Sequence, residues 1–134
     1  MDGQKRKILI VDDDAFLLDM YAIKFSQNNF EVHTAMGGTQ SIDKLKAGLV
    51  PDIILMDLIM PEMDGFEMLE KINTEKLSPN SVKIVLSNKS QQSDIERATN
   101  LGVAGYIVKA SSTPIEVVEQ VIGILNKKVL SEKK

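Results

Sequence analysis

Ile8-Leu9-Ile10-Val11-Asp12-Asp13-Asp14 is the stretch that decides the fold: four apolar residues run without polar alternation straight into three aspartates. A second run, Ile53-Ile54-Leu55-Met56, ends the same way in Asp57. Short uninterrupted apolar runs read as strands buried on both faces, which is the pattern of a parallel sheet covered by helices. Burying an unpaired carboxylate costs several kcal/mol or more. Two buried strands that end in acid therefore need a counter-charge, and a metal ion is the obvious candidate.

Further runs lie at Phe30–Ala35, Val82–Leu86 and Gly105–Val108. Phe30–Ala35 carries Glu31 and His33 on one face, which places it at a sheet edge; the other four read as doubly buried. Helix-period segments separate the runs. Asp13 or Asp14 caps the first, which buries Leu17, Met20 and Tyr21. The second sets Ile42, Leu45 and Leu49 on one stripe. Asp64-Gly65-Phe66-Glu67 is an acidic capping box, with Phe66, Leu69 and Ile72 behind it. Ser93-Asp94-Ile95-Glu96 fits a capping box in the fourth segment, which Gly102 ends. Thr113-Pro114-Ile115-Glu116 starts the fifth, followed by Val118, Val121, Ile122 and Leu125 at helical spacing. Residues 127–134 read as a frayed helix end and solvated tail.

Five strand–helix units imply a doubly wound α/β fold with helices on both faces of a parallel sheet. In the strand order 2-1-3-4-5, Asp12, Asp13, Asp57, Ser87 and Lys109 all fall at the carboxyl edge, where such sheets bind ligands. Taken singly, each has an ordinary explanation: a cap, a turn, a loop serine, a solvated lysine. One aspartate after a strand is explained by capping, but three in a row are not. The ordinary explanations would also have to hold at every matching strand end at once.

The bulk numbers bound the rest. The 134 residues suit one domain, with 43% hydrophobic and 26% charged residues and a net charge of -3. That charge argues against direct nucleic-acid binding. There is no cysteine, which excludes disulfide and thiolate chemistry. Met1–Lys7 does not resemble a signal peptide, and no apolar stretch approaches a membrane span, so the expected location is cytoplasmic. His33, the only histidine, reads as a surface residue. Lys5-Arg6-Lys7 reads as a solvated entry to the first strand, and Met60 and Met63 as packing for the loop after Asp57.

Ile8–Asp14, Met56–Gly65, Val85-Leu86-Ser87 and Gly105–Lys109, in this order and spacing, resemble the receiver domain of bacterial response regulators. The resemblance covers residues 7 to about 127 of a single domain spanning 1–134, and implies a CheY-like (βα)5 fold of flavodoxin-like type. It further implies that a sensor histidine kinase or His-phosphotransfer protein phosphorylates Asp57. The implied Mg²⁺ site uses Asp13, Asp57 and the backbone carbonyl of Ile59, with Asp12 acting mainly through bound water. Lys109 and Ser87 would contact the phosphoryl oxygens. Ser87 and Tyr106 would form the switch, and the face of the fourth helix, fifth strand and fifth helix would control a downstream target or output domain.

Some positions depart from that pattern. Ala110 follows Lys109 where the family usually has proline after a cis peptide, so the loop is either strained or trans; a cis bond before a non-proline residue costs about 2.5–4 kcal/mol. Serine stands at 87 where threonine is commoner, and Asn88 replaces a small residue. Ile59 and Lys89 stand at positions that, in the family this chain resembles, tune hydrolysis, and an apolar Ile59 there implies slow loss of the phosphoryl group. A pseudo-receiver, acting as a constitutive interaction module, is the alternative. A true enzyme fits worse. An aspartate-dependent phosphatase wants a second acid two residues after the nucleophile, where Ile59 stands, and a flavodoxin wants a phosphate loop where Asp12-Asp13-Asp14 would repel it. The chain ends about where the receiver fold does, which suits a stand-alone shuttle or the receiver of a longer regulator.

Overall fold

In the computed structural model, residues 5–132 are described. The elements alternate as β1 Arg6–Val11, α1 Ala15–Gln27, β2 Phe30–Ala35, α2 Gly38–Lys46, β3 Ile53–Met56, α3 Gly65–Thr74, β4 Val82–Ser87, α4 Gln92–Asn100, β5 Gly105–Val108 and α5 Pro114–Glu132, with a 3₁₀ turn at Lys109–Ser111 before α5. Among the described residues all strand pairings are parallel, and the sheet order is β2-β1-β3-β4-β5, the order expected above.

Successive strand residues face opposite ways, so each continuous run supplies two cores. Ile8, Ile10, Ile53, Leu55, Ile84 and Leu86 meet α1 and α5 on one face. Leu9, Val11, Ile54, Met56 and Val85 meet α2, α3 and α4 on the other. Phe25 of α1 closes the first core edge-on against Phe30, with ring centroids 5.1 Å apart.

The helix starts are largely those the sequence encodes. Asp14 caps α1, its carboxylate accepting the Leu17 N–H at 3.1 Å. Asp64 and Glu67 form the reciprocal box on α3, and Thr113 and Glu116 do the same on α5. Gly102, at φ +97°, turns the chain out of α4.

Some inward faces differ from expectation. On α1 the fully buried residues are Leu18, Tyr21 and Phe25, while Leu17 and Met20 only flank the core. On α5 Val117 replaces Ile122, which is exposed. Both changes rotate the apolar stripe by a fraction of a turn, which neighbouring apolar residues leave undetermined in sequence. β5 is not doubly buried: it is the second edge strand, and only Ile107 is buried. The α4 start lies at Gln91, whose N–H donates to Asp94, rather than at Ser93. α5 continues to Glu132, past the expected fraying point; residues 133–134 of the expected tail, like residues 1–4 of the N-terminal arm, lie outside the described residues.

Other expectations hold. His33 is a partly exposed residue of β2 whose Nε2 lies 2.8 Å from Glu31, which lowers the Glu31 pKa. Met60 is buried and Met63 packs partly against the second core. Among the described residues, no helix is long and apolar enough to cross a membrane.

Candidate functional site

Register sets the geometry of the site. Val11 pairs with Met56 across β1 and β3, so Asp12 and Asp57 leave the sheet side by side, and the Asp57 N–H donates to the Val11 carbonyl at 3.0 Å. Because β1 leads to β2 on one side and β3 lies on its other, these acids flank the point where the chain reverses direction across the sheet. Ser87 ends β4 in register with Val108, which places Lys109 next at the same rim.

The counter-charge within the protein is Lys109. Its ammonium donates to Asp12 Oδ2 at 2.7 Å and to Asp57 Oδ2 at 2.8 Å. The other oxygen of each acid is held by backbone: Asp12 Oδ1 accepts from the Asp14 N–H, and Asp57 Oδ1 from the N–H groups of Leu58 and Ile59. Asp13 is exposed beside this buried pair, and one carboxylate oxygen from each of Asp12, Asp13 and Asp57 lies within 4.8 Å of the others. Three hard oxygen donors at that spacing suit a small divalent cation that keeps part of its water shell.

Burial raises the Asp12 pKa against the opposing hydrogen bond from Lys109. Burial alone would lower the Lys109 pKa, but its bonds to Asp12 and Asp57 outweigh it and the net shift is upward, so the ammonium stays charged. Tyr21, expected only as a core residue, is also tied to the site. Its pKa rises mainly through burial, and the charges of Lys109, Asp12 and Asp57 all reach its hydroxyl.

The close backbone approach at Gly65 fixes the loop after β3. A Cβ there would lie 2.5 Å from the Asp57 carbonyl oxygen and 2.8 Å from Leu58 Cα. This loop carries Ile59, whose side chain is 59% exposed at the rim.

The β4–α4 loop is tethered at several points. Ser87 is fully buried, and its Oγ accepts the Lys89 N–H at 3.2 Å. The Tyr106 hydroxyl donates to the Lys89 carbonyl, so it ends on backbone rather than in open water. Its ring packs against the second core, and burial pushes its pKa up to about 12. The Lys109–Ala110 peptide is trans, which settles the loop's course.

A parallel five-stranded sheet with an acid cluster and a lysine at its switch point defines a class of α/β protein, and the comparisons with known proteins identify it. The family model for the response regulator receiver domain matches residues 8–121. The chain is 37% identical to the chemotaxis protein CheY of Thermotoga maritima over 115 residues, covering 85% of this chain and 92% of that protein. It is 34% identical to the transcriptional regulatory protein ResD of Bacillus subtilis over 122 residues, covering 90% of this chain but 48% of that one. A CheY-like receiver domain protein from Methanospirillum hungatei superposes with a TM-score of 0.84 at 26% identity, covering 96% of this chain and 99% of that one. The chain therefore belongs to the response regulator receiver domain family of two-component signalling.

Proposed function

We propose that this domain is a phosphorylation-dependent switch that takes a phosphoryl group on Asp57. The observation that carries this reading is the treatment of the two Asp57 oxygens. Oδ1 is immobilised by two backbone N–H groups, and Oδ2 faces the Lys109 ammonium at 2.8 Å. An ionised carboxylate needs no general base to act as a nucleophile. An Asp57 oxygen forms the new O–P bond as the N–P bond of a phosphohistidine breaks, and the departing imidazole nitrogen keeps the electron pair. The donor is a sensor histidine kinase or a His-phosphotransfer protein. Catalysis then reduces to in-line positioning and charge neutralisation. Lys109 supplies one fixed positive charge, and Ser87 supplies an O–H to a phosphoryl oxygen.

The residues that would hold Mg²⁺ are Asp13, Asp57 and the Ile59 backbone carbonyl, with Asp12 acting through bound water. When bound, the ion offsets charge that develops on the transferring group. Its fit is supported by the carboxylate spacing of Asp12, Asp13 and Asp57. The domain promotes its own phosphorylation and a slow hydrolysis and is otherwise no enzyme; the apolar Ile59 at the rim hinders water. A phosphoryl lifetime of only seconds would contradict that.

Phosphorylation adds charge that draws Ser87 inward. The tether from Lys89 to Tyr106 supports transmission of that shift to α4, β5 and α5, the face offered to a downstream protein or output domain. Incubation with Mg²⁺ and acetyl phosphate tests the reading. A mass gain of one phosphoryl group that disappears in Asp57→Asn supports it. No gain in the wild type leaves the pseudo-receiver alternative, a constitutive interaction module.

A further inference from the structure

Ala110 is the second residue of the 3₁₀ turn that begins at Lys109. Backbone N–H groups in the first turn of a helix have no partner within it. The Ala110 N–H finds one outside: it donates to Asn88 Oδ1 at 2.7 Å, from a residue 22 positions away on the β4–α4 loop. Asn88 directly follows Ser87, and Ala110 directly follows Lys109. The bond therefore fastens the loop that follows the site's hydroxyl to the turn that begins at its ammonium. A proline at 110 would have no hydrogen to give.

We infer that Asn88 is a positioning residue that caps the Lys109 turn from the neighbouring loop and steadies Lys109 beyond the last ladder pair, Ser87 with Val108. The inference rests on the phosphorylation reading for its consequence but not for its geometry. The rest of the loop leaves Asn88 free for this task. The Lys89 N–H is already held by Ser87, its carbonyl by Tyr106, and its ammonium lies 3.5 Å from Asp94. The β4–β5 ladder ends at the Ser87–Val108 pair, and beyond it the Asn88 side chain ties the Lys109 turn to the β4–α4 loop. Because both residues are solvent-exposed, water competes for the bond and its removal shifts Lys109 rather than unfolding the sheet.

The test compares wild type with Asn88→Ala, which deletes the acceptor, and Asn88→Asp, which keeps a carboxyl oxygen at the same reach. Two readouts need no phosphodonor: amide hydrogen exchange at Ala110, and the NMR signal of the Lys109 ammonium held between Asp12 and Asp57. Asn88→Ala should speed Ala110 exchange and broaden or move the Lys109 signal, while Asn88→Asp keeps both near wild type. With Mg²⁺ and acetyl phosphate, Asn88→Ala should be phosphorylated about two- to fivefold more slowly, the effect of one exposed hydrogen bond. Unchanged Ala110 exchange or an unmoved Lys109 signal in Asn88→Ala overturns the inference, as does a phosphorylation rate equal to or above wild type. If the wild type itself takes up no phosphoryl group, the site reading fails, while the exchange and ammonium signals still decide the role of Asn88.

Discussion

Asp12 shows what the site costs the fold. Its carboxylate is nearly fully buried, and burial raises its pKa above the ordinary 3.8 even with Lys109 as partner. The folded state thus binds this proton more tightly than the unfolded chain does. Stability increases as pH falls through the raised folded value, the gain is complete below 3.8, and at neutral pH the ionised group is a burden. Asp12→Asn removes that titration and leaves Lys109 paired to Asp57. Urea denaturation of the metal-free protein at neutral and mildly acidic pH should show wild type gaining relative to Asp12→Asn on acidification. A constant difference across that range would contradict the upward shift. Such a burden is what a group retained for function rather than stability looks like.

At the scale of elements, the junction of β3 and α3 and the strand β5 carry the strongest expectations. Gly65 lets α3 start against the backbone that follows Asp57. A methyl group there meets backbone atoms that cannot step aside, so Gly65→Ala should lower stability by about 1–3 kcal/mol in urea denaturation and slow phosphorylation of Asp57. Wild-type stability in that variant would show that the junction has slack. Tyr106 of β5 links the Lys89 carbonyl to the second core. Tyr106→Ala should leave phosphorylation intact and weaken partner binding; equal partner affinity in both proteins would remove it from the switch. The elements themselves were legible because strand runs ending in acid and the Asp64 and Thr113 caps are local signals. The phase of the helices was not. Leu17-Leu18 and Val121-Ile122 offer adjacent apolar residues, and only the helix's seating on the sheet buries Leu18 and Val121 rather than their neighbours. The expected strand order already put β5 at an edge; what its apolar run concealed is that only Ile107 is buried there.

Across the whole molecule, two facts about chain direction create the site. Parallel pairing sends every strand end to one rim, and the reversal between β1 and β3 opens a crevice there. Given those rules, the gathering of Asp12, Asp13, Asp57, Ser87 and Lys109 could be read from sequence. The bond between Asn88 and Ala110 could not, because it joins loops 22 residues apart through a side chain whose departure from the family pattern gave no sign of its partner. The central claim is that charge added at Asp57 is felt at α4, β5 and α5. Heteronuclear NMR of the Mg²⁺-loaded protein before and after acetyl phosphate tests it most directly. The account predicts shifts that start around Asp57 and extend through Ser87, Lys89 and Tyr106 into α4, and that vanish in Asp57→Asn. Shifts confined to the rim, or unchanged in Asp57→Asn, would contradict it.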